Sequence, residues 1–417
     1  MRTTLTQPDK KYEQPDWVIA LKETGAEVFD MTGLPTPANE DWKYSSLRPY
    51  ERVGFAHTDA APQVSVADLP AKKLTKRIVF INGIYNPEHS DDISGLKTIS
   101  LAEYISNNGT DIKENILDLG GLSDTPIKAE NTANINDGVI FVLDDGQKIS
   151  EPIEILYFGS DQGLESPKYF TRNLFKLGEG AELTVLEHFT GQGSYAVNHV
   201  TDISLHDNAR FYHYRLQVES KQAWHFAHTR LMQHKNSTYE TLTYTTGARF
   251  SRHDIQSLLL GAEVCCNING LYMLRGDQHV DTKLLTDHME PDGNSKQLYK
   301  GILDDKARAV FQGKIHVRRA AQRTDGRQLN NALLLSEQGE IDAKPELEIY
   351  ADDVQCAHGA TSGALDEAPL FYMQTRGIPK EDARRLLMKS FLSDVIEQVS
   401  RDDIREIFMT ELEGTFE

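Results

Sequence analysis

Cys356 and His358, two residues apart, are the residues of this 417-residue chain whose types and spacing point most directly to chemistry. They lie in Lys344 to Met373, KPELEIYADDVQCAHGATSGALDEAPLFYM, where Leu347, Ile349, Ala351 and Val354 follow the pattern of extended chain. If that strand runs on, residues two apart share a face, so a thiol and an imidazole project side by side. Together they make half of a soft metal or iron–sulfur site. A thiol with the ordinary pKa of about 8.5 becomes a better ligand beside a cationic imidazole. Half a site implies a missing half. The competing reading is that Cys356 is a small buried hydrophobe.

Other reactive side chains are less well arranged. Cys265 and Cys266 are neighbours on an expected strand, so they point to opposite faces and cannot chelate one ion together. Between His188 and His253 histidines are frequent, yet His225 and His228 are three apart and His199 and His206 seven apart, which on strands places each pair on opposite faces. Most are read as coil-face residues packed with Tyr212, Tyr214 and Phe226. The sequence contains no GxxxxGK[ST] phosphate loop, GxSxG elbow, HExxH helix or CxxC pair. A self-contained enzyme therefore lacks visible machinery. The rival reading is a β-helix carbohydrate-active enzyme using an external strand face, for which Asp277, His279 and Asp281 alternate suitably.

The totals narrow the partners and the compartment. A formal charge of −19 disfavours nucleic acid or an anionic membrane surface, which want clustered Lys and Arg. Three cysteines give no disulfide framework, and MRTTLTQPDKKYEQPDW has no apolar signal core, so a reducing cytoplasmic setting is expected. No apolar run approaches the roughly 20 residues of a membrane span.

Several elements must position the Cys-x-His strand. Trp17, Val18, Leu21, Val28 and Phe29 have loosely helical spacing before the breaks at Gly33, Pro35 and Pro37. In the following NEDWKYSSLRPY, Trp42 and Tyr44 are read as apolar anchors to a neighbouring unit. Asn82-Gly83 marks a hairpin within Arg77 to His89. These features predict a helical or mixed N-terminal region over residues 1–125. From about Asn131 short strands and tight turns take over. The turns share a form: Gly180-Ala181, Asn208-Ala209, Asn236-Ser237, Gly247-Ala248, Gly261-Ala262 and Lys306-Ala307. The first three lie 28 residues apart, a period typical of stacked repeats, with two strand-like runs in each interval. The fold class expected is mainly β: a β-helix core over residues 126–365, capped by the flanking segments. A β-sandwich is the alternative.

After Gly377 the pattern becomes helical, with Pro379 suited to a helix start and a C-terminal helical region over residues 366–417. Ala383, Leu386, Leu387, Phe391, Val395 and Val399 form a stripe. Met388, Leu392 and Ile396 widen it beyond what a surface helix needs. Either a second helix, with Ile404, Ile407, Phe408 and Leu412, or a partner protein must cover the excess.

The run ELEIYADDVQCAHGATSGALDEAPLFYMQTRGI, Glu346 to Ile378, closely resembles the C-terminal signature of the SufB and SufD family of iron–sulfur cluster assembly scaffolds. The likeness extends to Asn131–Tyr157, Ile315–Glu337 and NEDWKYSS at Asn39–Ser46, hence over most of the chain. Gly359 and the Gly363-Ala364-Leu365-Asp366 run fit the SufD branch. SufB usually has an acidic residue after its motif cysteine and extra N-terminal cysteines, and here no cysteine precedes Cys265. The resemblance implies a right-handed parallel β-helix between an α+β N-terminal and a helical C-terminal region. It implies a non-catalytic subunit that pairs with a SufB-type paralogue through the last coils and binds a SufC-type ABC ATPase through the C-terminal helices, where Leu386, Leu387 and Phe391 are the candidate contacts. A transient iron–sulfur cluster would form at the paralogue interface, with His358 as this chain's metal ligand, a SufB cysteine as another, and Cys356 beside it. It further implies a possible homodimer of the isolated chain and a link to reduced flavin, for which no motif is visible. A SufB-type sulfur-accepting subunit is the alternative within the family.

Overall fold

Two strands per repeat can satisfy their backbone groups only if each repeat lies on the one before it, and the computed structural model of the chain is built in this way. It describes residues 14–58, 64–96, 99–108 and 125–416; residues 1–13, read above for a leader, lie outside these. In chain order the first strands are β1 (Ala56–His57), β2 (Lys76–Ile81), β3 (Ile84–Tyr85), β4 (Ile140–Leu143), β5 (Ile153–Ser160), β6 (Pro167–Leu177), β7 (Glu182–Gln192), β8 (Ala196–Leu205) and β9 (Arg210–Gln217). Then come β10 (Trp224–Gln233), β11 (Thr238–Thr245), β12 (Phe250–Leu259), β13 (Cys265–Leu274), β14 (His279–His288), β15 (Asn294–Leu303), β16 (Arg308–Val317), β17 (Asp325–Leu334), β18 (Glu340–Ile349) and β19 (Gln355–Gly363). From β5 onward, even-numbered strands stack in one sheet and odd-numbered strands in the other, so each coil contributes one strand to each. The neighbours along both stacks are parallel, a β-solenoid as expected, and this parallel pairing excludes the antiparallel sandwich.

The repeat length is visible in the turns. Asn236 Nδ2 donates to Asn208 Oδ1 at 2.7 Å across one coil of 28 residues, whereas Arg323 reaches Asp292 across 31 near the end of the stack. Between the sheets, Phe189, Phe211, Ile268 and Tyr299 from one side meet Phe175, Ile203, Leu231, Ile255 and Phe311 from the other. Burying this continuous row from water is the main stabilising term.

Both outer faces are partly covered by the flanking segments. On the N-terminal side the helices are α1 (Asp16–Thr32), α2 (Arg48–Val53), α3 (Leu101–Asn108) and α4 (Pro126–Ala133). Trp42 is buried as an anchor, its ring 3.9 Å from the Arg252 guanidinium, and Tyr50 packs against Trp224 and Phe226. The expected hairpin is present: β2 and β3 pair antiparallel around Asn82 (φ 47) and Gly83 (φ 79). It is also part of the solenoid, since β2 pairs with β5. On the C-terminal side are α5 (Glu367–Thr375), α6 (Lys380–Ile396) and α7 (Asp402–Thr415). Leu392, Val395, Ile396 and Val399 pack with Ile404, Phe408 and Leu412 onto Leu216, Tyr244, Leu271 and Ile302 of the odd-numbered sheet. The chain itself thus covers most of the wide apolar helix, leaving Leu386 49% exposed.

The histidines depart from expectation. His199, His213, His225 and His253 do not pack with Tyr214 and Phe226, which face the outer coverings. They lie an even number of residues from Phe211, Ile203, Leu231 and Ile255 on their strands, share the face of those core residues, and therefore point into the core. Burial is tolerated because each imidazole has a polar neighbour. Glu187 lies 3.2 Å from His199 Nε2, 3.2 Å from His213 Nε2 and 3.4 Å from Arg215 Nε, while Glu219 lies 2.8 Å from His225 Nδ1. Burial opposes ionisation of Glu187, and His213 and His199 beside it outweigh that and hold its carboxyl well below the usual range. Burial pushes His199 down to about 4, so this ring is neutral at neutral pH.

Candidate functional site at the last coil

The final coil differs from those before it because nothing described lies beyond it. In each sheet the last strand, β18 or β19, has a sheet partner on one side only. Among the described residues this leaves an open end with unpaired backbone groups.

The structure brings Cys356 and His358 together on β19 as the spacing predicts, and it identifies the face. Along one row of register, Ile268 pairs with Gln297, Gln297 with Gln328, and Gln328 with His358. Ile268 is a core residue, so His358 is on the inward side of a strand whose inward side is no longer roofed. Cys356 pairs with Gly326 on the same face. It is half-buried against Ile315, Val317 and Ala351, with Leu347 and Val354 alongside. A Cβ at Gly326 would stand 3.4 Å from the Cys356 sulfur, an ordinary contact. Burial pushes the Cys356 thiol up from its ordinary value and Asp325 adds to this, so the resting group is a thiol rather than a thiolate. His358 is exposed. A shallow cavity of about 430 Å³ adjoins it on the outer side, with Lys296, Arg327, Leu298 and Leu329 among its walls.

Chemically this is an incomplete ligand set. Among the described residues no group of three or more His, Cys, Asp or Glu side chains could hold a metal ion. An exposed imidazole and a half-buried thiol can supply one or two ligands, and a soft metal or cluster needs more. Cys265 and Cys266 take no part: Cys266 is fully buried in the core and Cys265 half-buried on the opposite face.

The second candidate face is closed. Asp281 is buried, accepting from Arg252 Nη1 at 2.5 Å and from Ser45 Oγ at 2.5 Å, and Ser45 Oγ also lies 2.9 Å from His279 Nε2. The NEDWKYSS segment therefore lies on the surface that a carbohydrate-active enzyme would need open. Asp277 is engaged separately, with Arg249 at 2.8 Å. What the sequence reading missed is the row behind His358. Gln297 and Gln328 are buried polar residues at positions where the pattern wants apolar ones, and such a mismatch is the signal that could have found them.

Comparison with known proteins agrees with this geometry. Residues 159–391 match the family model described as SUF system FeS cluster assembly, SufBD core domain. The chain is 33% identical over 390 residues to the iron–sulfur cluster assembly protein SufD of Escherichia coli, covering 90% of this chain and 88% of that protein. It is 31% identical over 405 residues to an iron–sulfur cluster assembly SufBD family protein of Synechocystis, covering 92% and 88%. It is also 35% identical over 288 residues to the chloroplastic protein ABCI7 of Arabidopsis thaliana, covering 67% and 60%. No described helix is long and apolar enough to cross a membrane. With the core model matching over half of the chain and SufD aligned along nearly all of it, the chain belongs to the SufBD family of iron–sulfur cluster assembly proteins.

Proposed function

We propose that this chain is a non-catalytic scaffold subunit of SUF iron–sulfur cluster assembly, acting in the cytoplasm. Its open last coil pairs with a SufB-type paralogue, and a nascent cluster is held across that contact. His358 is this chain's ligand, with Cys356 beside it and the remaining ligands supplied by the partner. The observation that carries this reading is an exposed imidazole next to a half-buried thiol on the terminal strand, with no third ligand near them among the described residues. A half-site at an unpaired sheet end is the arrangement that a second β-solenoid completes. The raised thiol favours His358 over Cys356 as the resting ligand. A SufC-type ABC ATPase docks on the C-terminal helices at Leu386, with Leu387 and Phe391 behind it, and its hydrolysis cycle moves the pair to open the contact for loading.

The test is co-expression with the SufB-type and SufC-type partners, followed by anaerobic purification and absorption spectroscopy. His358→Ala is expected to leave the complex assembled and remove most of the cluster absorption. Unchanged cluster on an intact complex would end the ligand assignment.

A further inference from the structure

A ladder of buried amides inside the last three coils ends beneath His358. Gln328 Nε2 donates to Gln297 Oε1 at 2.5 Å, and Gln297 Nε2 donates to Thr286 Oγ1 at 2.8 Å. Gln328 thereby directs its N–H to the preceding coil, away from the open end, while Gln297 directs its own across the interior to β14 of the same coil. Gln328 Oε1 is consequently a buried acceptor with no partner among the described residues, on a side chain that is 2% exposed. Leaving such an oxygen unpaired is unfavourable, and a native structure that keeps one usually has a use for it. Gly313, on the opposite sheet, is what lets the amide lie inward: a Cβ there would stand 2.1 Å from Gln328 Nε2. Paired residues on adjacent strands are about 4.8 Å apart, and Gln328 is the residue paired with His358, so an imidazole turned inward reaches this oxygen.

We propose that Gln328 is a positioning residue for His358, its Oε1 accepting the N–H of one ring nitrogen so that the other presents its lone pair to the cluster at the open end. This rests on the reading of His358 as a ligand. A neutral imidazole has one donor and one acceptor nitrogen, and a hydrogen bond to the donor fixes which nitrogen ligates and how the ring is turned. The hydrogen bond is made when the partner closes the end of the coil and His358 leaves solvent.

The test uses the anaerobically purified complex of the full chain with its co-expressed partners. Gln328→Met keeps length and burial but removes the acceptor; cluster retention against a chelator should fall about 10- to 100-fold. Gln328→Glu, which keeps an acceptor oxygen at the same reach, should restore much of it. Asn330→Leu removes a neighbouring buried amide of the same face whose Oδ1 is likewise without a partner among the described residues but which is paired with Ala360 and not with His358, and it should leave retention unchanged. Pulsed EPR of the one-electron-reduced cluster gives an independent readout. The coupling of the remote imidazole nitrogen should report a hydrogen-bonded N–H in the unmodified complex and change in Gln328→Met. If His358→Ala keeps its cluster, the ligand reading itself falls. If His358→Ala loses the cluster while Gln328→Met retains it with an unchanged remote-nitrogen coupling, the positioning role is overturned. Equal losses from Asn330→Leu and Gln328→Met would overturn it too, by pointing to packing. Should Gln328→Met not accumulate, a remote nitrogen free of hydrogen bonding in the unmodified complex overturns it.

Discussion

Arg252 shows how much charge this fold places out of water on purpose. Its guanidinium is 2% exposed, 2.5 Å from Asp281, 3.0 Å from Asp254 and stacked on Trp42. Removing one member of a buried ion cluster strands the others, so Arg252→Leu is expected to lower unfolding stability by about 3–5 kcal/mol, measured by urea titration. A fall below about 1 kcal/mol would mean that water enters the site freely. The buried histidines give a pH prediction. Burial pushes His57, His199 and His288 down to about 4 and His279 to about 3, against about 6.5 in an unfolded chain. The unfolded chain therefore binds more protons between these values. Stability is full above pH 6.5 and falls as the pH drops toward 4, by up to about 1.4 kcal/mol per pH unit for each such histidine. Urea midpoints at pH 7.5, 6 and 5 that do not move would contradict this. At this scale the sharing of a face by Cys356 and His358 was legible, because strand alternation has a period of two. That the face is the inward one was not: Gln355, Ala357 and His358 are all exposed where the roof ends, so burial no longer distinguishes the sides.

The turns illustrate what an element's sequence reveals about its backbone. Asn208 and Asn236 have φ of 62° and 53°, the left-handed conformation that asparagine tolerates, and both were recognisable. At Gly247-Ala248 the positive φ belongs to Ala248, at 62°, while Gly247 is small because a Cβ would stand 2.1 Å from the Glu219 backbone nitrogen. Glycine there answers a close approach between coils, a long-range fact that no local pattern contains. The C-terminal helices show the same limit. Their apolar residues were legible, but how many of them the solenoid covers depends on which coils they lie against. Leu386 is outward, whereas Phe391 is half-buried, its ring 4.6 Å from Lys300 Nζ. Leu386→Asp is accordingly expected to reduce recovery of the ATPase in a pull-down while leaving thermal stability within about 0.5 kcal/mol of the unmodified chain. Phe391→Asp should lower stability as well. Full recovery of the ATPase with Leu386→Asp would move the docking surface elsewhere.

For the whole molecule the repeat was readable from three turns, while the joining of the N-terminal hairpin to the stack was not. The buried pair of Arg77 with Glu154, at 2.9 Å, spans 77 residues of sequence, and pairing at that separation leaves no local trace. Lys73 also meets Glu411, so the N-terminal and C-terminal coverings touch one another along the side of the solenoid. The stack itself is close to one-dimensional, each coil resting on its neighbours. From β5 to β19 there are seven steps of about 4.8 Å, or roughly 34 Å along the axis. Length in such a molecule comes in whole units. An inherited insertion or loss of one complete coil changes the reach of the last strand by a single step and leaves every inward row in line. A gain of an odd residue within a strand instead turns the rest of that strand inside out. The coil lengths of 28 and 31 residues are compatible with this because the difference is absorbed in the turns. Descendants of this chain can therefore drift in turn length while the distance from the first coil to His358 changes only by discrete increments, like notches on a ruler.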